Sequence, residues 1–390
     1  MIYKLSDIFD LQMGKTPTRS DLSYWQNGSY DWISISDLNT DRKYISDTKE
    51  RITTKAVRES GIKKIPANTV IMSFKLSMGK TAITSHDMFS NEAIMAFIDR
   101  KVIRINPDYI YYLLHALDWN KRANKAVKGR TVNKKIISQT QVNIPDYQTQ
   151  LRIVKIMDST RKRVKIQKDI LSKLDTLIKA RFVEMFGDPV KNEKKFLTKQ
   201  LSQIGKCKNG INFHKSEIGN TVNCLTVKDF ENNQVINDTT KLAKIKLSNL
   251  PSNDYFLNNG DIVFVRSNGN KSLVGRSVLI FPNNNPTLFS GFCIRFRKDS
   301  KRLESVYLLW LLKNESIRMK MRGRGVNIQN LNQQIINNLS IPVPPIELQK
   351  EFASFVQQVD KSKVVNASIM KYIISIRFYL YFKENKEGAR

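Results

Sequence analysis

Basic residues gather beside glycines once in each half of this chain. Lys121, Arg122, Lys125, Lys128, Arg130, Lys134 and Lys135 surround Gly129. Arg318, Lys320, Arg322 and Arg324 surround Gly323 and Gly325, with Asn327 just beyond. Lysine and arginine neutralise phosphates, and glycine lets a backbone come close, which gives salt-sensitive, sequence-independent affinity. A solvated basic helix face is the alternative. A second pair of places carries the side chains that suit base edges. Lys75, Ser77 and Lys80 lie about Gly79, while Arg266, Asn268, Asn270, Lys271 and Arg276 lie in and beside 267–275. Arginine and lysine match guanine, asparagine matches adenine, and serine matches either; ordinary polar hairpins would use the same residues. Lys15, Thr16, Thr18 and Arg19 near the start, with Lys208, Asn212 and Lys228 in the second half, complete the candidate contacts.

The overall charge agrees with that chemistry. Lys and Arg number 65 against 35 Asp and Glu, a formal net charge of +30, and such a field favours polyanions, above all nucleic acid. Catalytic groups are sparse by comparison. Gly14-Lys15-Thr16 and Gly79-Lys80-Thr81 look like ends of phosphate loops, but Phe9 and Phe74 stand where the motif's first glycine belongs. Asn106-Pro107-Asp108-Tyr109 is similar to the Asn-Pro-Pro-Tyr motif of amino-methylating DNA enzymes. Asp108 replaces a proline, however, and a turn opening a helix at Tyr109 explains the run better. His86, His115 and His214 lack metal-ligand spacing. Cys207, Cys224 and Cys293 have no CxxC spacing and read as buried thiols of a reducing cytoplasm. No apolar run reaches the ~18–20 residues that span a bilayer, and the Met1 to Lys4 start is not a signal peptide. The expectation is no catalytic residue, no bound cofactor and no metal.

The elements that must position these residues recur. Leu5-Ser6-Asp7-Ile8 returns as Leu201-Ser202-Gln203-Ile204, and Tyr112-Leu113-Leu114 as Tyr307-Leu308-Leu309. Ile144-Pro145 with Gln150 returns as Val343-Pro344 with Gln349. A repeat of this period is a duplicated domain, and 41% hydrophobic residues let each copy bury a core. Residues 31–36, 70–74 and 93–98 read as strands, matched by 224–227, 261–265 and 292–296. Helices are expected over 108–128 and 303–321. Met157, Val164, Leu171, Ile178 and Met185 then recur every seven residues with Leu174 beside them, and Phe352, Phe355, Val359, Ile369, Ile373 and Ile376 mark a second such stripe. These are coiled-coil helices, packed against each other, with polar breaks at Thr160, Gln167, Ser362 and Asn366. A helix over 148–185 would run roughly 57 Å, longer than the ~34–36 Å repeat of same-face DNA half-sites.

Together these residues resemble the specificity (S) subunit of type I restriction–modification systems. The resemblance rests on Gly14-Lys15-Thr16-Pro17-Thr18-Arg19, Tyr24-Trp25 and Asp31-Trp32-Ile33-Ser34 with Asp37-Leu38. It rests equally on Leu174 through Phe182 with the exit Glu184-Met185-Phe186-Gly187-Asp188-Pro189, and on Pro344-Pro345 with Glu347 and Gln349. The second half lacks the Gly-Lys-Thr-Pro-Thr-Arg run and offers Lys208-Asn209-Gly210-Ile211-Asn212-Phe213 instead. The resemblance implies an α/β (α+β mixed) chain of two target recognition domains, 1–145 and 190–343, separated by two long antiparallel coiled-coil helices, 146–189 and 344–390. It implies that each domain reads half of a bipartite, asymmetric target in double-stranded DNA. It also implies that the helices dock two methyltransferase (M) subunits and that two restriction (R) subunits join them. S-adenosylmethionine, ATP and Mg would belong to those partners, and the complex would be cytoplasmic without a membrane anchor. Two other readings stay open on the residues alone: a self-sufficient DNA methyltransferase or nuclease with diverged motifs, and a coiled-coil adaptor for RNA or acidic proteins.

Overall fold

The computed structural model describes residues 1–38, 42–75, 77–119, 124–126, 129–131, 133–213, 218–231, 233–322 and 330–387, with side chains outside 124–131, 271, 322 and 374–387. Two compact units share the chain, Met1–Gln167 with Ser368–Arg390, and Lys168–Ala367.

In the first unit the strands are β1 (Ile2–Lys4), β2 (Phe9–Met13), β3 (Tyr30–Ile33), β4 (Tyr44–Ile45), β5 (Glu50–Ile52), β6 (Val70–Ser73), β7 (Thr81–Thr84), β8 (Phe89–Ser90), β9 (Ile94–Asp99), β10 (Asn124–Ala126), β11 (Gly129–Thr131) and β12 (Gln141–Asn143). In the second they are β13 (Thr198–Gln200), β14 (Gly205–Asn209), β15 (Asn220–Leu225), β16 (Val235–Ile236), β17 (Ala243–Leu247), β18 (Asp261–Val265), β19 (Ser277–Ile280), β20 (Thr287–Phe289), β21 (Cys293–Lys298) and β22 (Ser340–Pro342). Apart from the β10-β11 pair, the sheets repeat strand for strand. Order β2-β9-β6-β7-β4 matches β14-β21-β18-β19-β16, order β5-β3-β8 matches β17-β15-β20, and ribbon β1-β12 matches β13-β22. The helices are α1 (Leu5–Ile8), α2 (Thr54–Glu59), α3 (Pro107–Ala116), α4 (Lys134–Gln139), α5 (Tyr147–Phe186), α6 (Ser305–Lys313), α7 (Glu315–Arg322), α8 (Gln333–Asn337) and α9 (Ile346–Glu387).

Each copy is closed by the same buried glutamine. The Gln150 amide donates to the carbonyls of Pro145 (3.0 Å) and Arg104 (3.1 Å), and its oxygen accepts from the Asn106 backbone (2.9 Å). Gln349 does the same with Pro344 (2.7 Å), Arg302 (3.0 Å) and Glu304 (2.8 Å). A buried amide with its partners satisfied ties the sheet layer to the first turn of each long helix. The tyrosine contact corrects the sequence alignment. Tyr109 donates to the Asn143 carbonyl (3.0 Å) and Tyr307 to that of Pro342 (2.9 Å), so Tyr307 corresponds to Tyr109 rather than to Tyr112. A tyrosine one helical turn away had produced the mismatch.

Two helix expectations shorten. The helix expected over 108–128 stops at Ala116, where Trp119 turns back and its indole donates to the Leu114 carbonyl (2.9 Å). Part of the basic stretch is then a two-stranded hairpin, Asn124–Ala126 with Gly129–Thr131. The helix expected over 303–321 divides at Asn314, whose side chain accepts from the Ser316 backbone (3.0 Å) and so restarts α7. Asn106 likewise caps α3 by accepting from the Tyr109 backbone (3.1 Å), which accounts for the Asn-Pro-Asp-Tyr run as a helix opening.

In the second unit the portions of α5 and α9 run antiparallel. Phe182 meets Phe352 edge-on at 5.5 Å, Arg181 pairs with Glu351 at 2.8 Å, and Lys363 pairs with Asp175 at 2.8 Å. Along α5 the inward stripe takes in Met157, Val164, Leu171, Leu174 and Ile178, of which Met157 and Ile178 are buried and the others half-buried. Along α9 Phe352 and Val359 are buried, and Phe355 and Ile373 half-buried. Ile369 departs from expectation: it is 41% exposed, and half-buried Met370 takes the inward place. Phe355 packs as expected, beneath Arg181, and Val356 beside it is buried too, while at the next turn Lys363 rather than Ser362 is half-buried. The Ile376 side chain lies outside the described residues.

Candidate nucleic-acid interface

In each copy, one end of the five-stranded sheet collects the candidate contacts. Met13 pairs with Met95 and Ser73 with Ile94, so the ends of β2 and β6 and the start of β9 lie together. Residues 14–19, 74–75, 77–80 and 91–93 therefore share one sheet end. The second copy does the same with 210–213, 266–276 and 290–292, because Asn209 pairs with Ile294 and Val265 with Cys293.

The sequence run Gly14-Lys15-Thr16-Pro17-Thr18-Arg19 is held by tryptophans. A Cβ at Gly14 would collide with the carbonyls of Ser90 and Asn91, and one at Gly210 with those of Phe289 and Ser290, so both strands need glycine there for the same reason. Trp32 donates to the Lys15 carbonyl and Trp25 to that of Thr18, each at 3.1 Å. Arg19 lies over Trp25, its guanidinium 4.0 Å from the ring, and grips Glu50 with two nitrogens. That hydrogen bonding raises the Arg19 pKa. The Thr16 hydroxyl donates to Glu92, which lowers the Glu92 pKa, with Lys75 and Arg19 adding to the effect. Thus Thr16 and Arg19 fasten the loop, while Lys15 and Thr18 are exposed. In the next loop Lys75 and Lys80 are half-buried and Ser77 is exposed. Gly79 adopts φ +81° against Trp119, closing this end with an indole.

The second end is finished differently. Lys208 is drawn onto Tyr255, 3.8 Å from the ring centre, and pairs with Asp254, whose pKa falls mainly through that bond. Asn212 and Lys228 are exposed. The Arg266 backbone donates to the Phe292 carbonyl (2.8 Å), and its guanidinium reaches the Gly291 carbonyl at 3.5 Å. Asn268 and Asn270 turn the loop locally, accepting from the backbones of Asn270 (2.7 Å) and Ser272 (3.1 Å). Arg276 is half-buried where the loop enters β19. The Lys271 side chain lies outside the described residues.

Of the phosphate candidates, Lys134 is exposed at the start of α4, where Asn133 accepts from the Ile136 backbone (2.8 Å). Asn332 repeats that cap on Ile335 (2.8 Å). Lys128, Arg324 and Asn327, with the side chains of Arg130 and Arg322, lie outside the described residues.

Sequence reasoning missed three features of this interface: the tryptophan cage, the carboxylates that occupy Thr16 and Arg19, and Phe292. Tyr24-Trp25 and Asp31-Trp32 were signals for the first. Phe292 was read as the start of a strand that in fact begins at Cys293. The remaining titratable groups fit structure rather than chemistry. His86 pairs with Asp31 at 2.9 Å, and burial pushes the thiols of Cys207 and Cys224 up to about 12. No group of three or more metal-ligating side chains occurs among the described residues. No helix among them is long and apolar enough to cross a membrane.

The family model described as the Type I restriction modification DNA specificity domain matches this chain twice, over residues 1–176 and 192–371. The Type I restriction enzyme MjaIX specificity subunit of Methanocaldococcus jannaschii is 24% identical, over 96% of this chain and 90% of its own length. The Type I restriction enzyme StySPI specificity subunit of Salmonella potsdam is 26% identical, over 65% of this chain and 58% of its own. A chain from a structure addressing complex assembly and conformational transition of the type I R-M system superposes with a TM-score of 0.60 at 13% identity. It covers 100% of this chain and 96% of that one, and shares the fold.

Proposed function

This chain belongs to the type I restriction modification DNA specificity family, and from that membership we propose that it is the sequence-reading and scaffolding subunit of a type I restriction–modification complex. Each repeat presents one sheet end to double-stranded DNA, and the two ends read the two halves of a bipartite, asymmetric target. The long helices α5 and α9 serve as spacer and dock. Two methyltransferase subunits and two restriction subunits assemble on the chain. S-adenosylmethionine, ATP and Mg are bound and used by those partners, and the complex works in the cytoplasm.

The observation that carries this reading is the pairing of one repeated topology with two unlike loop sets. The sheets, the helix caps and the Gln150 and Gln349 clamps recur, whereas the loops 74–80 and 266–276 differ in length and chemistry. A repeated scaffold suits two copies of a partner, and unlike loops suit unlike half-sites. The charge of +30 supports a phosphate contribution to affinity. Expressed with the methyltransferase subunit of its own system, the chain should direct adenine methylation to one bipartite motif, read across the genome. Exchange of 267–275 for another loop should alter one half of that motif and spare the other. An unmodified genome in cells where the complex forms would overturn the reading.

A further inference from the structure

Phe292 is an exposed aromatic at the sheet end that carries Arg266 and Asn212. It stands 61% exposed, although it is flanked by Gly291 and by fully buried Cys293. Its equivalent in the first repeat behaves otherwise. The Phe74 backbone donates to the Ala93 carbonyl (3.0 Å) as that of Arg266 donates to Phe292 (2.8 Å), so Ala93 and Phe292 correspond, and so do Phe74 and Arg266. In the first repeat Phe74 and Ala93 are both buried. In the second, the inner position carries a guanidinium and the outer one a phenyl ring.

The ring is held on a rigid base. The Phe292 backbone donates to the Ser290 hydroxyl (3.3 Å), its carbonyl accepts from Arg266, and the Gly291 backbone donates to the Ile211 carbonyl (2.6 Å). The Asn212 side chain packs against Gly291, and the Arg266 guanidinium approaches the carbonyl of the same glycine. A carboxamide, a guanidinium and a phenyl ring thus surround one turn. Those three groups suit adenine, guanine and the C5-methyl of thymine in the major groove. Two backbone–backbone hydrogen bonds and one to the Ser290 hydroxyl pin the turn that carries the ring, which favours contact with a base edge over insertion between base pairs.

We propose that Phe292 is a specificity-determining residue of the second repeat that packs on the C5-methyl group of a thymine in its half of the target. This rests on the DNA-reading function above. The first repeat, with Ala93 and Phe74 both buried, offers no such contact at the corresponding place.

The test uses the chain assembled with its methyltransferase subunit and duplexes carrying its methylated motif. In the half read by the second repeat, each thymine is replaced singly by deoxyuridine, which removes only the methyl group. Wild type should bind about fourfold more weakly at one such position, the effect of exposing one buried methyl. Phe292→Ala should melt like wild type, bind the thymine duplex about as weakly as wild type binds the deoxyuridine one, and ignore the replacement. Three results would overturn the inference while leaving the DNA-reading function standing: a half-motif without an A·T pair, no methyl-sensitive thymine, or equal sensitivity in wild type and Phe292→Ala. If the assembled chain directs no methylation at all, the underlying reading fails, and the inference with it.

Discussion

The sheet ends of the two repeats stand on equivalent strands, and each holds one cation between a carboxylate and an aromatic ring, Arg19 by Glu50 and Trp25 and Lys208 by Asp254 and Tyr255. Beyond that they are finished differently. At the first, Arg19 stays exposed but grips Glu50 and lies over Trp25, Thr16 is bound by Glu92, and Trp119 seals the hairpin at Gly79. At the second, Gly291 stands where the first has Glu92, Arg266 where it has Phe74, and exposed Phe292 where it has Ala93. A duplicated scaffold therefore constrains where a loop leaves the sheet and leaves its chemistry free. Residue type alone does not mark a contact, since Arg19 and Arg266 are equally basic and differently employed.

If the scaffold is truly shared, its clamps must be energetically equivalent, and this is where the largest effect is expected. Gln150→Leu and Gln349→Leu each leave two carbonyls and one backbone N–H without their amide partner. Unpaired buried polar groups cost ~1–3 kcal/mol each, so about 3–5 kcal/mol is expected for either variant after partial relaxation. Urea unfolding of both variants measures it. Losses differing by more than about 2 kcal/mol would break the equivalence of the two clamps.

The next effect separates the two arginines. Arg19→Ala should lower stability by about 1 kcal/mol, the sum of an exposed bidentate pair and a cation–π contact, and should change affinity for the methylated motif less than about twofold. Arg266→Ala should reverse that order, with affinity falling about tenfold or more, as loss of a base-edge contact demands. Melting curves and duplex titrations on the same preparations decide the matter. A tenfold loss of affinity in Arg19→Ala would show that the Glu50 pairing opens on DNA and would erase the contrast between the two arginines.

Much of the scaffold was legible because its signals are local and periodic. The strand expected over 261–265 is β18, and the helix expected over 148–185 lies within Tyr147–Phe186. The two glutamines were visible as a repeated Pro-to-Gln spacing, although nothing in that spacing reveals the three hydrogen bonds each makes. The failures share one cause, a choice among near neighbours that tertiary contacts settle. Tyr112 stood in for Tyr109 because both lie on one helix a turn apart. Ile369 stood in for Met370 because either continues an apolar stripe, and Asp175 with Asp360 draws Lys363 into the seam instead of Ser362. The basic helix after Tyr112 failed because Trp119 turns back on α3. At the sheet ends the sequence supplied the right residue types, and only the fold shows that Glu50 and Glu92 had already claimed two of them.

The smallest effect tests that last point through pH. Glu92 accepts from the Thr16 hydroxyl and lies near Lys75 and Arg19, all of which hold its carboxyl below the usual range. A carboxylate with a depressed folded pKa contributes stability that is fully present above its unfolded value, about 4.3 for Glu, and is lost as pH falls through the folded value. The second repeat has Gly291 at this position and titrates nothing there. Glu92→Gln keeps an acceptor for Thr16 and cannot titrate. Between about pH 5 and pH 3, wild type should therefore lose slightly more unfolding free energy than Glu92→Gln. Gly291→Glu should not restore that slope, because Asn212 stands where the first repeat has Thr16 and its Oδ1 already occupies the space beside Gly291. Superimposable pH profiles for wild type and Glu92→Gln would mean that the Thr16 contact is not what closes the first sheet end, and the contrast would then rest on Arg19 and Trp119 alone.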